Sequence, residues 1–469
     1  MSTSGSFSAI PTRNPRRSQR REKAMKAKWL SICVLVLFLV VARTAQGQTL
    51  LTQTTWGGAG SDAAEGVATD ADGSSYVVGL TDSFTTDQFG IPSPRIFLVK
   101  FSPTGTLVWQ RIWNGLTIRG LGRTGVAVGP GGSVYVTGVS VNNGGDAVLL
   151  KFDANGSLLW ERTWGGVASD RSFAVATDVD GSAYIVGTET SFGAGGFGLF
   201  VVKFDAAGRL VWQKIADGAE GSAVAVAPDG SVYAAGTMAR DLLGNFDMLV
   251  MKITSAGNLV WQRTYTAGDQ ADARGGMAAA PDGSMIVVAG ALQSVKANTP
   301  DITALIVALS PDGTLIFDNQ FDGTNGEEGD GVTVAPDGTI YVTGTTTTFG
   351  AGNQDAFVLH LPPTGKKILD AVTWGGTQFE TGAGVAVAAA VSGTTTTLSL
   401  AATTTTGPPY SLLPAAARLS LPQGTLAVRA GVLVDGAGTV ANPKARAATP
   451  NGSTTFSGGF EVALVRIAR

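Results

Sequence analysis

The chain is short of the residues that most nucleophilic and metal chemistry needs. Among 469 residues there is one cysteine, Cys33, and one histidine, His360. A Cys-His pair, a Ser-His-Asp triad and a histidine zinc site therefore each lack a member. No disulfide can form within the chain. Charged residues are only 15%, and after residue 47 no long stretch repeats its apolar side chains at period 3.6, which excludes a helical bundle. What is plentiful is glycine, 64 residues, together with threonine and β-branched side chains. That is the composition of an all-β chain.

The stretch from Gly125 to Gly166 shows how it is organised. It reads GVAVGPGGSVYVTG, a short polar loop, then DAVLLKFDANGSLLWERTWGG. Apolar residues alternate with small or polar ones, and the breaks fall on Gly, Pro, Asn and Asp, so the unit is four short strands joined by turns. A glycine followed by Ser or Thr closes the first turn at Gly73, Gly132, Gly181, Gly230, Gly283, Gly338, Gly393 and Gly452, a spacing of 49 to 59 residues. In the later turn a glycine precedes a large apolar residue by four positions: Gly105 and Trp109, Gly156 and Trp160, Gly208 and Trp212, Gly257 and Trp261, Gly313 and Phe317. The mark fades to Leu369 and Val428. One such sheet leaves both faces wet, so copies must stack. The pattern predicts an eight-bladed β-propeller, four antiparallel strands per blade, with blades near 59–113, 114–164, 165–215, 216–265, 266–321, 322–374, 375–434 and 435–469 plus 48–58. A seven-bladed ring with an insertion from about Gly407 to Pro450 is the alternative.

Residues 1–47 are different in kind. Nine Lys and Arg precede or flank an apolar run from Trp29 to Ala42, followed by Ala45-Gln46-Gly47, the form of a secretory signal peptide. Such a segment predicts a secreted, cell-surface or periplasmic protein. Without it 24 Lys and Arg face 35 Asp and Glu, a net charge of −11, which argues against nucleic acid and anionic membrane as partners. A monomer is expected. The chain ends on FEVALVRIAR, in phase with a third strand, while QTLLTQTTWGG at Gln48–Gly58 aligns with the fourth strand GSLLWERTWGG at Gly156–Gly166. The N-terminal strand is therefore predicted to pair with the C-terminal blade and close the ring, removing two free sheet edges.

Loops joining strands two to three, and blade to blade, share one face of a propeller and are here the longer ones: Asp82–Pro92, Thr188–Gly196, Met238–Phe246, Leu292–Asp301 and Thr346–Gln354. On that face a carboxylate recurs at Asp62, Asp170, Glu220, Asp272, Glu327 or Glu328, and Glu380. A ring of acids at the channel mouth is the candidate ligand site, with calcium the one metal it suggests and otherwise no cofactor. The competing reading is that each acid caps its own loop. Asp70-Ala71-Asp72-Gly73 and Asp178-Val179-Asp180-Gly181 look like calcium-loop fragments, but they match Pro-Asp-Gly turns in other copies. His360 takes the place of Lys100, Lys151, Lys203, Lys252 and Arg466 and is expected to face solvent.

The recurring WGG, the VTVAPDGTIYVTG core at Val332–Gly344, DAFVLHL and the GSLLW turn together resemble the bacterial β-propeller repeat family known as SBBP. That resemblance covers Trp56–Gly376 best and implies an exported or surface protein more than a reaction. The Gly-to-Trp spacing is also similar to the tryptophan-docking motif of eight-bladed quinoprotein dehydrogenases and of the outer-membrane assembly propeller. The former add a vicinal disulfide under their cofactor, which this chain cannot form. The expectation is a non-enzymatic module binding a protein or glycan on its long-loop face. A carboxylate-based hydrolase or lyase at the channel mouth and a periplasmic assembly scaffold are the alternatives.

Overall fold

Alternation at period two gives every sheet two apolar faces, which only neighbouring sheets can cover. In the computed structural model the chain divides into residues 1–49 with 469, and residues 50–468. The second unit is an all-β propeller of seven blades. The described residues are 49–84, 93–113, 115, 123–141, 144–192, 196–241, 245–266, 270–296, 299–350, 353–375, 379–388, 397–404, 411–414, 418–419, 426–427 and 461–468. The predicted signal peptide lies outside them.

Strand β1 is Thr49–Trp56. Blade one is β2 (Asp62–Thr69), β3 (Ser75–Thr81), β4 (Arg95–Phe101) and β5 (Leu107–Ile112). Blade two is β6 (Gly125–Val128), β7 (Val134–Ser140), β8 (Asp146–Phe152) and β9 (Leu158–Trp164). Blade three is β10 (Arg171–Thr177), β11 (Ala183–Glu189), β12 (Gly198–Phe204) and β13 (Leu210–Asp217). Blade four is β14 (Ala219–Val226), β15 (Val232–Ala239), β16 (Phe246–Ile253) and β17 (Leu259–Tyr265). Blade five is β18 (Gln270–Ala279), β19 (Ile286–Lys296), β20 (Thr299–Leu309) and β21 (Leu315–Phe321). Blade six is β22 (Glu327–Val334), β23 (Ile340–Thr346), β24 (Asp355–Leu361) and β25 (Asp370–Gly375). After β26 (Glu380–Ala388) and β27 (Thr397–Thr404) come β28 (Ser411–Pro414), β29 (Arg418–Leu419), β30 (Leu426–Ala427) and β31 (Glu461–Ala468). The seventh sheet has the order β1-β31-β27-β26.

The expected eight blades are thus corrected to seven. The segments 375–434 and 435–469 do not make one blade each: β27 and β31 are adjacent strands of the same sheet, paired from Thr397↔Ala468 to Thr404↔Glu461. Residues 405–460 are an insertion between them. Part of it, β28, adds to the outer edge of blade six by pairing with β25, and β29 pairs with β30. The error has a physical cause. Gly393 and Gly452 carry turn chemistry, which is local, whereas a blade exists only where strand edges find partners. Both glycines lie outside the described residues. A second correction concerns Leu292–Asp301, expected as a loop: most of it belongs to β19 and β20, each 11 residues long, which pair as far as Lys296↔Thr299.

Packing between blades supplies the core. Each apolar cluster joins two neighbours, as where Trp56, Phe97 and Val99 meet Ala401, Val462 and Leu464 between blades seven and one. At about 1.5–3 kcal/mol per fully buried large apolar side chain, such layers dominate stability. The innermost strands crowd the axis. A Cβ on Gly276 would lie 2.8 Å from Gly331 Cα, and one on Gly331 3.0 Å from Gly384 Cα. At the rim each tryptophan of the Gly-to-Trp mark sits on the next blade's turn: a Cβ on Gly208, at φ 78°, would meet the Trp160 ring at 3.0 Å. The Trp160, Trp212 and Trp261 indoles donate to the carbonyls of Ala206, Ser255 and Pro311 at 3.3, 3.0 and 3.0 Å. A second girdle runs alongside. Trp56 donates to Gln110 at 2.8 Å, Trp113 to Glu161 at 2.9 Å, Trp164 to Gln213 at 3.0 Å and Trp374 to Gln53 at 3.3 Å.

Candidate functional site

The six candidate acids differ in burial and in partners. Asp62, Asp170, Glu327 and Glu380 are fully buried. Asp170 accepts from the Gly166, Thr190 and Ser191 amides at 2.7, 2.9 and 3.2 Å and from the Ser191 hydroxyl at 2.6 Å. Asp62 accepts from the Gly58 amide at 2.8 Å, from Ser83 Oγ at 2.6 Å and from Thr81 Oγ1. Glu327 accepts from the Gly323 amide at 2.7 Å and Thr346 Oγ1 at 3.0 Å, and Glu380 from Thr404 Oγ1 at 3.1 Å. Asp272 is half-buried and accepts from the Ala291 amide at 3.2 Å, while Glu220 is exposed. For Asp62, Asp170 and Glu327 these bonds match the competing reading, in which each acid caps its own loop: donors replace the water that a buried carboxylate gives up. The signal was present as W-G-G-x-x-x-D, whose partner is a Ser-Phe pair, Ser83-Phe84 and Ser191-Phe192, that places Phe84 on Trp56 and Phe192 on Trp164 at 5.3 and 5.2 Å between ring centres.

Burial raises the Glu327 carboxyl above its ordinary range. Asp146, one strand away from Asp170, is pushed up to about 6, by burial first and by the Asp170 charge second. Its Oδ1 is buried without a hydrogen-bond partner.

The calcium-like fragments are turn caps. Asp178 Oδ1 accepts from the Ser182 amide at 3.0 Å and its Oδ2 from the Tyr184 hydroxyl at 2.7 Å, while Asp180 Oδ1 holds the Ser182 amide at 2.7 Å. Hydrogen bonds from Asp178 and Ser182 hold the Asp180 carboxyl down to about 2. Among the described residues no group of three or more His, Cys, Asp and Glu could hold a metal. His360 does not face solvent as expected. It is 5% exposed, stacks on Tyr341 at 5.3 Å, and places Nδ1 3.3 Å from Asp370 Oδ2. Its equivalents explain why: Lys100, Lys151 and Lys203 lie over Tyr76, Tyr135 and Tyr184 at 4.9–5.0 Å, long stems packed on a ring. Of Arg466, nothing beyond its strand is described.

Two concave features remain. The first is the central channel, a space of about 160 Å³ to which all seven innermost strands contribute. Register shifts interrupt those strands at Ala64/Gly66, Ser172/Ala174, Gly221/Ala223, Gly329/Gly331 and Gly382/Gly384. A bulge re-aims its extra residue, and here Glu65, Phe173, Ser222, Asp330 and Ala383 line the channel. Glu65 Oε2 accepts from the Thr124 amide at 2.7 Å, and Arg123 bridges to Asp330 at 3.2 Å. The acid-ring reading missed these residues, since a bulge has no pattern at period two.

The second feature is a groove of about 710 Å³ on the long-loop face between blades five and six. Its walls come from the blade-to-blade loop (Thr324, Asn325, Glu328), from β20 (Asp301) and from the ends of the two–three loop of blade six (Thr347, Gln354). Hydroxyls, amides and two carboxylates line it, beside Ile302 and a comparable share of apolar surface. Two parallel bridges, Ile302↔Gly326 and Gln354↔Phe379, tie its walls together.

No family model matches the chain and no curated protein matches it. Among solved structures it is similar to a puromycin hydrolase at 16% identity and a TM-score of 0.42, covering 75% of this chain and 51% of that one. Sqt1 from Chaetomium thermophilum is matched at 11% identity and a TM-score of 0.43, covering 81% and 88%. The chain thus spans about half the length of the hydrolase. At such scores neither similarity carries an argument about the site.

Proposed function

We propose that the protein is an exported, non-enzymatic propeller that binds a glycan through its long-loop face, at the groove between blades five and six. The observation that carries this reading is the groove's lining. Asn325, Gln354, Thr324 and Thr347 offer paired donors and acceptors, and Asp301 and Glu328 offer acceptors, a set that matches the hydroxyls of a sugar. The scaffold beneath is rigid, with Glu327 and the Gly323 amide fixing the loop that carries Asn325. Export rests on residues 1–47, membership of the SBBP repeat family on the WGG and GSLLW motifs, and the monomeric state on all seven blades coming from one chain. We also assign to β1 the closing of the ring beside β31. Its sheet position supports this, as do the hydrogen bonds of Thr54 to the Gly105 carbonyl at 2.9 Å and of Trp56 to Gln110.

The test is calorimetric titration of the mature chain with a panel of neutral and amino-sugar oligosaccharides, repeated with Asn325→Ala/Gln354→Ala. The expected result is saturable binding to at least one oligosaccharide, weakened about tenfold or more in the double variant, the scale of one or two lost hydrogen bonds. Binding to none of the panel, or binding that the double variant leaves unchanged, would reject this groove.

A further inference from the structure

The outermost strand of each blade carries a feature that neither the packing nor the groove uses. In blades one to five the register shifts between the same two residues of strand three: at Lys100/Phe101, Lys151/Phe152, Lys203/Phe204, Lys252/Ile253 and Ala308/Leu309. The extra residue opposite is aliphatic every time: Val108, Leu159, Val211, Val260 and Ile316, each 42–54% exposed. From blade two onward the preceding leucine, Leu158, Leu210, Leu259 or Leu315, is exposed to a similar degree. Singly exposed leucines need no explanation, but the same aliphatic pair turned outward on successive blades makes a repeated apolar step along an open edge.

β29 lies against β21, but four of those edges are free among the described residues: β5, β9, β13 and β17 are each terminal in their sheets. The equivalent edge of blade six is not. There β28 lies antiparallel on β25, with Ser411 opposite Gly375, Trp374 opposite Leu412, Thr373 opposite Leu413 and Val372 opposite Pro414. The chain itself thus shows how the edge is filled. A segment running on in the direction of β28 would pass, within about four residues at roughly 3.4 Å each, from the last half of the outer strand to its bulged start. On blade two that path leads from Trp164 and Thr163 to Leu159 and Leu158. The bulge stops further ladder pairing and presents aliphatic side chains instead.

We propose that the outer edge of blade two, and by repetition those of blades three and four, docks an extended, aliphatic-rich polypeptide segment as a fifth strand. Backbone hydrogen bonds to the second half of β9 supply affinity, and the Leu158 and Leu159 step selects apolar side chains beyond them. The occupant is a peptide segment rather than a second copy's blade, because the pairing on β25 is made by a strand of four residues, not by another sheet.

The probe is a fluorescent peptide of the sequence SLLPAAARLS, residues 411–420, with a photo-crosslinking group, titrated onto the full chain. A second peptide with its leucines changed to aspartate is the control. The expected result is saturable anisotropy for the first peptide, at least tenfold weaker for the second, with crosslinks on β9, β13 or β17. Because three equivalent edges compete, Leu158→Asp/Leu159→Asp should abolish the β9 crosslinks alone, and its unchanged melting temperature would show that the fold survives. The proposal is overturned by crosslinks confined to the long-loop face, by no saturation at millimolar peptide, or by equal binding of both peptides. Sedimentation showing a dimer that the double variant dissolves would overturn it too, by assigning the edge to a second copy.

Discussion

Arg123, at the threshold of the inner strand of blade two, donates from Nη2 to Oδ1 of Asp330 in blade six at 3.2 Å, reaching across the channel between residues 207 positions apart. Asp330 is 9% exposed, and the Arg123 side chain 41%. The pair therefore works at an intermediate dielectric, stronger than a surface bridge and weaker than a buried one.

Arg123→Met should lower the urea midpoint by an amount equivalent to about 1 kcal/mol. Asp330→Ala should cost no more, since it leaves the half-exposed cation free to reach water. The effect of Arg123→Met should shrink at 1 M salt; a cost unchanged by salt would mean the side chain acts by packing alone.

Capping and ligand binding make opposite predictions for the acids. Asp170→Ala strips partners from the Gly166, Thr190 and Ser191 amides and should destabilise the chain by at least about 2 kcal/mol in chemical denaturation. Glu220→Ala, at an exposed position, should change stability by less than about 0.5 kcal/mol. Similar small losses for both would restore the acids to the list of candidate ligand residues.

Asp146 gives the fold a signed pH dependence. Its carboxyl holds its proton up to about 6 in the folded chain against an ordinary value of 3.8. Between those values the folded state binds more protons than the unfolded one, so this group's contribution to stability falls as pH rises from about 4 to about 6. Urea midpoints across that window should decline less in Asp146→Asn than in the parent.

The seam has its own test. Trp56 is 7% exposed, packs on Phe97 with ring centres 4.5 Å apart and donates to Gln110 in blade one. If β1 is the strand that shuts the ring, Trp56→Ala should cost about 3 kcal/mol or more, as for a core tryptophan. A loss under about 1 kcal/mol would show that the ring stands without it.

At Gly208 the chain needs a left-handed residue beneath the Trp160 ring. Gly208→Ala should cost at least about 1 kcal/mol from backbone strain alone, before any clash at 3.0 Å. Thermal melting reads it directly, and a neutral outcome would mean that the Trp160 contact relaxes freely.

The sequence by itself determined the strands, the turn glycines and the order of strands in most blades, because period-two alternation and positive-φ turns are decided within a few residues. It also held the capping motif, legible once Trp164, Gly166, Asp170 and Ser191 are read as one unit. Tertiary structure decided the rest. Seven blades rather than eight follow from β27 meeting β31 over an insertion, a pairing that local turn chemistry at Gly393 and Gly452 does not govern. The burial of His360 follows from Tyr341 beside it, and the channel lining from bulges that break the alternation at Glu65 and Asp330. The groove between blades five and six joins Asp301 of β20 to Asn325 and Gln354 from two separate loops. Such residues become neighbours only when blades pack, since contact across a propeller depends on where sheets stand around the axis, not on spacing along the chain.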